Sequence, residues 1–367
     1  MYQDMAHKIL RLSSTRVWRT YDGGAELERW QGGANPQDGT FPEEWIASVV
    51  KARNPARDGV VNEGLSEVLL ANGETVLLKD LIDAEPRAFL GDKHCERYGD
   101  NPAVLVKVID SLGRLTIQVH PDKQFAKAVF GSDYGKTEAW YILGGREVNG
   151  EAPYVLLGFK PGVTRESWQR LFATQDIAGM MNALHKIPVH PGEIYLIEGG
   201  VPHAIGSGCF LIEIQEPTDY TIRLERTTPQ GNTVSDEMCH QGAGFEKIFD
   251  CFHYDTLTLD ETLQRWRISA KIIHSDEAAE EAVLIGEDST SLFGMNRLSI
   301  KGRYAKEMNG SFAALIVVSG AGQLHYGDEQ LAVKQGDTLF IPAAVAKVGF
   351  ESADGDLEII MCFPPAS

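Results

Sequence analysis

Four side chains near the middle of the chain could share one metal ion. They are Gln118 and His120 in "RLTIQVHP", Glu138 in "GKTEAW" and His203 in "GGVPHAIGSG". Alternate residues of a strand share a face, so a strand over "RLTIQVHP" turns Thr116, Gln118 and His120 one way and Ile117 and Val119 the other. The apolar face can pack in a wall. The polar face would then line an interior, where buried polar groups need partners. The same period puts Lys136, Glu138 and Trp140 together, a carboxylate beside a cation. His203 sits in a glycine-rich turn between two strands, from which a side chain can aim into a cavity mouth. One amide oxygen, one carboxylate and two imidazoles form a mixed donor set that suits Zn²⁺ or a similar borderline divalent ion, with room for water or substrate. Taken singly, each of the four reads as an ordinary packed or solvated residue; only the constellation points to a metal.

Strands must position these residues, and the sequence around them is strand-rich. "NPAVLVKVID", "GRLTIQVH", "GKTEAWYILGG", "GEIYLIEGG", "CFLIEIQE" and "YTIRLE" alternate or run apolar between glycine turns. Between about 161 and 187 the period changes: Trp168, Leu171, Phe172, Ile177, Met180, Met181 and Leu184 recur at three and four residues. That predicts an amphipathic helical insert of one or two helices whose stripe is packing. From about 256 a second strand-rich unit follows. Its "KQGDTLFIPAAVAKVG" echoes "HPGEIYLIEGGVPHAIG": Gly192 matches Gly336, Glu193 matches Asp337 and His203 matches Lys347 at one constant offset. The echo predicts two related β-barrel domains, 1–255 and 256–367. The first would carry the metal; the second, with Lys347 in place of the histidine, would carry none.

Composition narrows the function classes. With 367 residues, 43 % hydrophobic and 23 % charged, the chain has the make-up of a globular protein of more than one domain. A net charge of -18 argues against nucleic acid as a partner, because a phosphate backbone needs a basic surface. It also singles out any lysine or arginine near the metal residues, since an anionic substrate would need local positive charge. Five cysteines without a CxxC pair predict neither a disulfide framework nor a cysteine zinc site and suit a reducing compartment. No leader and no membrane span are expected, which makes the cytoplasm the default location.

"TIQVHPDK", "GKTEAWYIL", "GGVPHAIGSG" and "EIQEPTDYTIRLE", in that order, resemble the motifs of type I mannose-6-phosphate isomerases of the shorter bacterial kind. "PEEWIAS" and "VLVKVIDS" resemble upstream segments, and the likeness runs from about residue 15 to 230, more loosely beyond. It implies a mainly β fold of two cupin jelly-roll domains with a helical insert in the first. It also implies one zinc per chain on Gln118, His120, Glu138 and His203, and places substrate-binding and catalytic positions on Lys107, Thr116, Lys136, Glu213, Asp219 and Arg223. The implied reaction interconverts mannose 6-phosphate and fructose 6-phosphate through an enediol, with Glu213 or Asp219 as candidate bases and a zinc-bound water as the alternative. Arg223, a permanent planar cation, is the strongest candidate anchor for oxyanions. Three departures stand out: Ile222 where the family has tyrosine, Glu225 where it often has aspartate, and "PEEWIAS" for a more usual "GECWAIS". They leave the metal set intact and the exact sugar open. Free mannose and fructose are the alternative substrates, and a metal-dependent cupin oxygenase or a non-catalytic sugar-binding cupin are the rival classes. Oligomeric state is not legible.

Overall fold

Strands form wherever the sequence alternates between glycine turns. The computed structural model, which describes residues 2–54, 57 and 59–366, arranges them as two units of two facing sheets. In the first unit a seven-stranded sheet runs in spatial order Arg267–Ile268, Ile194–Ile197, Glu138–Gly145, Cys209–Gln215, Leu105–Asp110, Glu43–Ile46 and Arg16–Val17. Facing it is a five-stranded sheet of Leu184–Pro188, Tyr154–Phe159, His203–Ile205, Gln118–Val119 and Ile222–Arg223. Trp140, Tyr195, Leu157 and Ile205 fill the space between the two at one end.

The two-residue period decides what each face does. Lys107 and Ile109 point between the sheets, as do Glu138, Trp140 and Ile142. Val106, Val108, Ala139, Tyr141, Ile212 and Ile214 point the other way and pack against the second unit. There they meet Ala282, Leu284, Met295, Ile316, Phe340 and Ile360 from another seven-stranded sheet. A smaller four-stranded sheet closes that unit over an aliphatic interior of residues such as Leu298, Leu315, Val348 and Met361. The fold is thus mainly β, in the two-cupin arrangement expected, with helices inserted in the first unit.

The units also exchange strands. Leu10–Arg11 joins the second unit's large sheet, pairing Leu10 with Phe340 and Arg11 with Leu339. In return Arg267–Ile268 joins the first unit, pairing with Tyr195 and Ile194.

The insert is two helices, Arg165–Thr174 and Ile177–Asn182. Thr164 opens the first with a reciprocal capping pair to Ser167, and Asp176 caps the second. Trp168, Phe172 and Met180 are buried against Ile117, Val119 and Ala204 of the smaller sheet. Leu184 differs from the helical expectation: it is buried but already begins the strand Leu184–Pro188. The echo also has a structural counterpart. Ile194–Ile197 and His203–Ile205 correspond to Thr338–Ile341 and Lys347–Ser352, yet His203 is buried whereas the Lys347 side chain lies at the surface beside Glu307, 2.8 Å away.

Candidate metal centre and cleft

The strand expected over "RLTIQVHP" is cut to Gln118–Val119. The amide of Ile117 donates to Glu225 Oε1 (2.6 Å) instead of to a neighbouring strand, and Arg114 holds that carboxylate with bonds of 2.6 and 2.9 Å. Glu225, one of the departures, therefore fixes the segment that leads into the site. The division of faces survives: Thr116, Gln118 and His120 face inward while Ile117 and Val119 pack under the insert.

Gln118 is the middle of three paired residues. His203 lies opposite it on one side and Arg223 on the other, so the three stand in one row across the smaller sheet. The facing sheet carries a second row, Trp45, Lys107, Glu213, Trp140 and Tyr195, each paired with the next. Register alone brings these chemical groups together from distant parts of the chain.

His120, Glu138 and His203 are essentially inaccessible to solvent and offer ligand atoms that all lie within 4.8 Å of one another. His120 Nε2 is 3.2 Å from Glu138 Oε2, and His203 Nε2 is 3.5 Å from Glu138 Oε1. Both rings are oriented from behind. His120 Nδ1 donates to the Tyr220 carbonyl and His203 Nδ1 to the Val201 carbonyl, each at 2.9 Å. Each proton therefore sits on Nδ1, and both Nε2 lone pairs face the centre, the arrangement of metal-binding histidines. Burial, reinforced by Lys136, pulls His120 down to about 3, and burial likewise lowers His203, so both imidazoles are neutral. Burial opposes ionisation of Glu138, but the Lys136 ammonium outweighs it and holds the carboxyl well below its usual range. Lys136 Nζ stands in the cluster, 2.7 Å from His120 Nε2 and 2.8 Å from Glu138 Oε2. The donors already carry the protonation states a metal needs. The Gln118 side-chain amide is 3.3 Å from His203 Nε2; turned over, it presents its oxygen to the same point. The donor set fits zinc.

Residues 17–139 match the phosphomannose isomerase type I catalytic domain, and residues 288–364 match the mannose-6-phosphate isomerase cupin domain. The chain belongs to the type I phosphomannose isomerase family. Its relatives include the mannose-6-phosphate isomerase of Streptococcus mutans, 27 % identical over 296 residues, which are 79 % of this chain and 84 % of that one. The Salmonella typhimurium mannose-6-phosphate isomerase is 34 % identical over 126 residues, covering 34 % of this chain and 28 % of that one. The fold is that of the Bacillus subtilis mannose 6-phosphate isomerase crystal structure, with a TM-score of 0.75 at 21 % identity over 96 % of this chain and 99 % of that one. A zinc-bound mannose 6-phosphate isomerase aligns with a TM-score of 0.73 at 18 % identity over 98 % of this chain and 100 % of that one.

Beside the triad lies a narrow cleft, and Lys107, Thr116, Lys136, Glu213, Asp219 and Arg223, the other positions the resemblance implies, all line it. The lysines are paired with carboxylates, Lys107 with Glu213 (2.8 Å) and Lys136 with Glu138 (2.8 Å). Arg223 is different. Its Nη1 donates to the carbonyls of Thr221 (3.2 Å) and Met238 (3.0 Å), and among the described residues it has no carboxylate within ion-pair distance. The salt bridge to Asp219 or Glu225 that spacing allows is not made, because Asp219 is taken by Arg19 and Glu225 by Arg114. Glu213 also accepts from Trp140 Nε1 at 3.2 Å. Its burial and the neighbouring Glu138 charge raise its pKa. Burial pushes Asp219 the same way, but Arg19 and Lys107 outweigh it and the net shift is down.

Among the cleft residues that escaped the sequence reading are the charged and phenolic groups of Arg19, Tyr21 and Glu43. "RVWRTY" has no chemical spacing to any other motif, and Arg19 meets Asp219 only through the fold. The one available signal was "PEEWIAS", whose Glu43 is drawn inward by Tyr21 (2.7 Å) and Trp45 (2.8 Å).

Proposed function

We propose that the chain is a zinc-dependent aldose–ketose isomerase that interconverts mannose 6-phosphate and fructose 6-phosphate. The observation that carries the reading is the convergence of two imidazole lone pairs and a carboxylate beside a cleft lined by Gln118, Lys136 and Arg223, the last of which has no carboxylate partner among the described residues. The relatives named as mannose-6-phosphate isomerases support the substrate. One zinc per chain would be held by His120, Glu138, His203 and Gln118, and when bound it supplies Lewis-acid stabilisation of charge on the sugar's oxygens. We assign this chemistry to residues 1–255, with residues 256–367 as a supporting cupin unit that binds no metal. Five unpaired thiols suit a cytoplasmic enzyme.

The reaction moves a proton between two adjacent carbons through an enediol. Glu213 is the base this site favours: its raised pKa brings it nearer the working pH, and Lys107, 2.8 Å away, can return a proton to oxygen. Asp219 is the poorer base, since a carboxylate held low by Arg19 gives little drive to take a proton. Lys136 and Thr116 donate to sugar oxygens, and Arg223 binds the substrate's anionic group by its planar fork.

A second reading has one observation in its favour. Arg19, Lys107 and Lys136 are already neutralised by carboxylates, which leaves Arg223, among the described residues lining the cleft, as the cation free to meet a phosphate dianion and suits an unphosphorylated sugar. An assay with zinc supplied, comparing mannose 6-phosphate, glucose 6-phosphate and free mannose, separates the two. Turnover of mannose 6-phosphate at the highest kcat/KM is expected; preference for free mannose would install the second reading.

A further inference from the structure

Arg19 is 6 % exposed and lies on the cleft wall that also bears Lys107 and Glu213. Its guanidinium stacks over Trp45 at 5.1 Å. Nε bonds Glu43 Oε2 at 2.9 Å, Nη1 donates to Asn54 Oδ1 (3.2 Å) and Asp219 Oδ2 (3.4 Å), and Nη2 donates to Asp219 Oδ1 (3.3 Å). Four of its five N–H groups are thus committed, in the planar fork that only arginine offers. The two carboxylates are pinned from other sides as well. Asp219 Oδ2 accepts the Arg53 amide at 2.8 Å. Glu43 Oε1 accepts the Tyr21 hydroxyl at 2.7 Å, and its Oε2 accepts Trp45 Nε1 at 2.8 Å.

A buried ion cluster is weak evidence of a stabilising role, because apolar packing can replace it without loss. This cluster lines the cleft, and Asp219 Oδ1 and Glu43 Oε1 each keep a lone pair unused by these bonds. Rigid, ionised acceptors of that kind match the hydroxyl groups of a sugar chain, which are donors, and they cost no reorganisation when substrate arrives. We infer that Arg19 is a positioning residue of the isomerisation, clamping Asp219 and Glu43 as fixed acceptors for the substrate's hydroxyl groups. The inference rests on the isomerase reading and deepens it. It divides the cleft's carboxylates by role, with Asp219 and Glu43 orienting and Glu213 left for proton transfer.

A double-mutant cycle on kcat/KM for mannose 6-phosphate tests this, using Arg19→Lys, Asp219→Asn and the double variant, with zinc content and melting temperature recorded for each. If Arg19 acts through Asp219, each single change lowers kcat/KM by at least about tenfold, the worth of one charged hydrogen bond. Much of the loss would appear in KM, zinc would stay bound, and the double variant would be little worse than the poorer single one. Lysine would not rescue, because it lacks the fork. Losses that multiply in the double variant would overturn the inference, as would Arg19→Lys with a lowered melting temperature and wild-type kcat/KM. Should the Arg19 variants not fold, Tyr21→Phe carries the same test, since it removes only the hydroxyl that pins Glu43. A severalfold rise in KM is then expected, and an unchanged KM would overturn the idea. A wild-type enzyme inactive on every sugar tried would sink the parent reading instead, whereas additivity in an active enzyme sinks this inference alone.

Discussion

Each imidazole of the triad spends its Nδ1 proton on a backbone carbonyl, and that bond is what frees Nε2 for a metal. Replacing His203 by alanine should therefore lower bound zinc sharply, with turnover; stoichiometric zinc and full activity in that variant would remove the site. The same burial sets a pH dependence. Histidine in the unfolded chain titrates near 6.5, while His120 in the fold stays neutral down to about 3. Between those values the unfolded chain takes up a proton that the fold refuses, so stability present above pH 6.5 is lost progressively as pH falls toward 3. The melting temperature of chelated protein should drop from pH 7.5 to 5, and drop less in His120→Gln; equal slopes would contradict this. Arg223→Lys keeps the charge and loses the fork, and turnover is expected to fall by about 100-fold, the effect of losing one oxyanion donor. Unchanged turnover with zinc retained would make Arg223 structural. At this scale Gln118, His120, Glu138 and His203 could be picked out from the sequence because strand period and motif order both point to them. Arg19 could not, because its partner Asp219 is 200 residues away and only pairing across the sheets joins them.

Register between strands does the rest of the assembly. His203, Gln118 and Arg223 form one row and Trp45, Lys107, Glu213 and Trp140 another, so a slip of one residue in any strand would turn its contribution out of the cleft. The turn before His203 guards that register. Gly200 has φ +87, and a Cβ there would lie 2.6 Å from the His253 ring. Gly200→Ala should destabilise the protein by about 1–2 kcal/mol from the left-handed backbone alone, and weaken zinc binding by displacing His203. A calorimetric scan and a zinc titration of the variant check both; wild-type values would show that the turn does not set the ligand. The helical insert was legible as an element because its three-and-four spacing interrupts a two-residue pattern. Its end was not: Leu184 is apolar on either reading, and the sheet claims it through pairing with Phe159.

The two units share one core, and each lends the other a strand. The echo around Gly192 and Gly336 made two related units legible, but not this exchange, because the strands Leu10–Arg11 and Arg267–Ile268 are too short to leave a pattern. A fragment of residues 1–255 would keep the metal residues yet lose the Arg267–Ile268 strand and expose Val106, Val108, Ile212 and Ile214. It should be poorly soluble, and a soluble, monomeric, zinc-loaded fragment would contradict that. The whole molecule carries a charge of -18, so a sugar phosphate would meet an opposing field, and Arg223, which has no carboxylate partner among the described residues, would have to counter it locally. That this chain is a zinc isomerase is tested most directly by zinc content and mannose 6-phosphate turnover followed together through chelation and zinc re-addition. One zinc per chain, activity lost with the metal and restored in proportion to it, is the result expected; full turnover by the metal-free protein would contradict it.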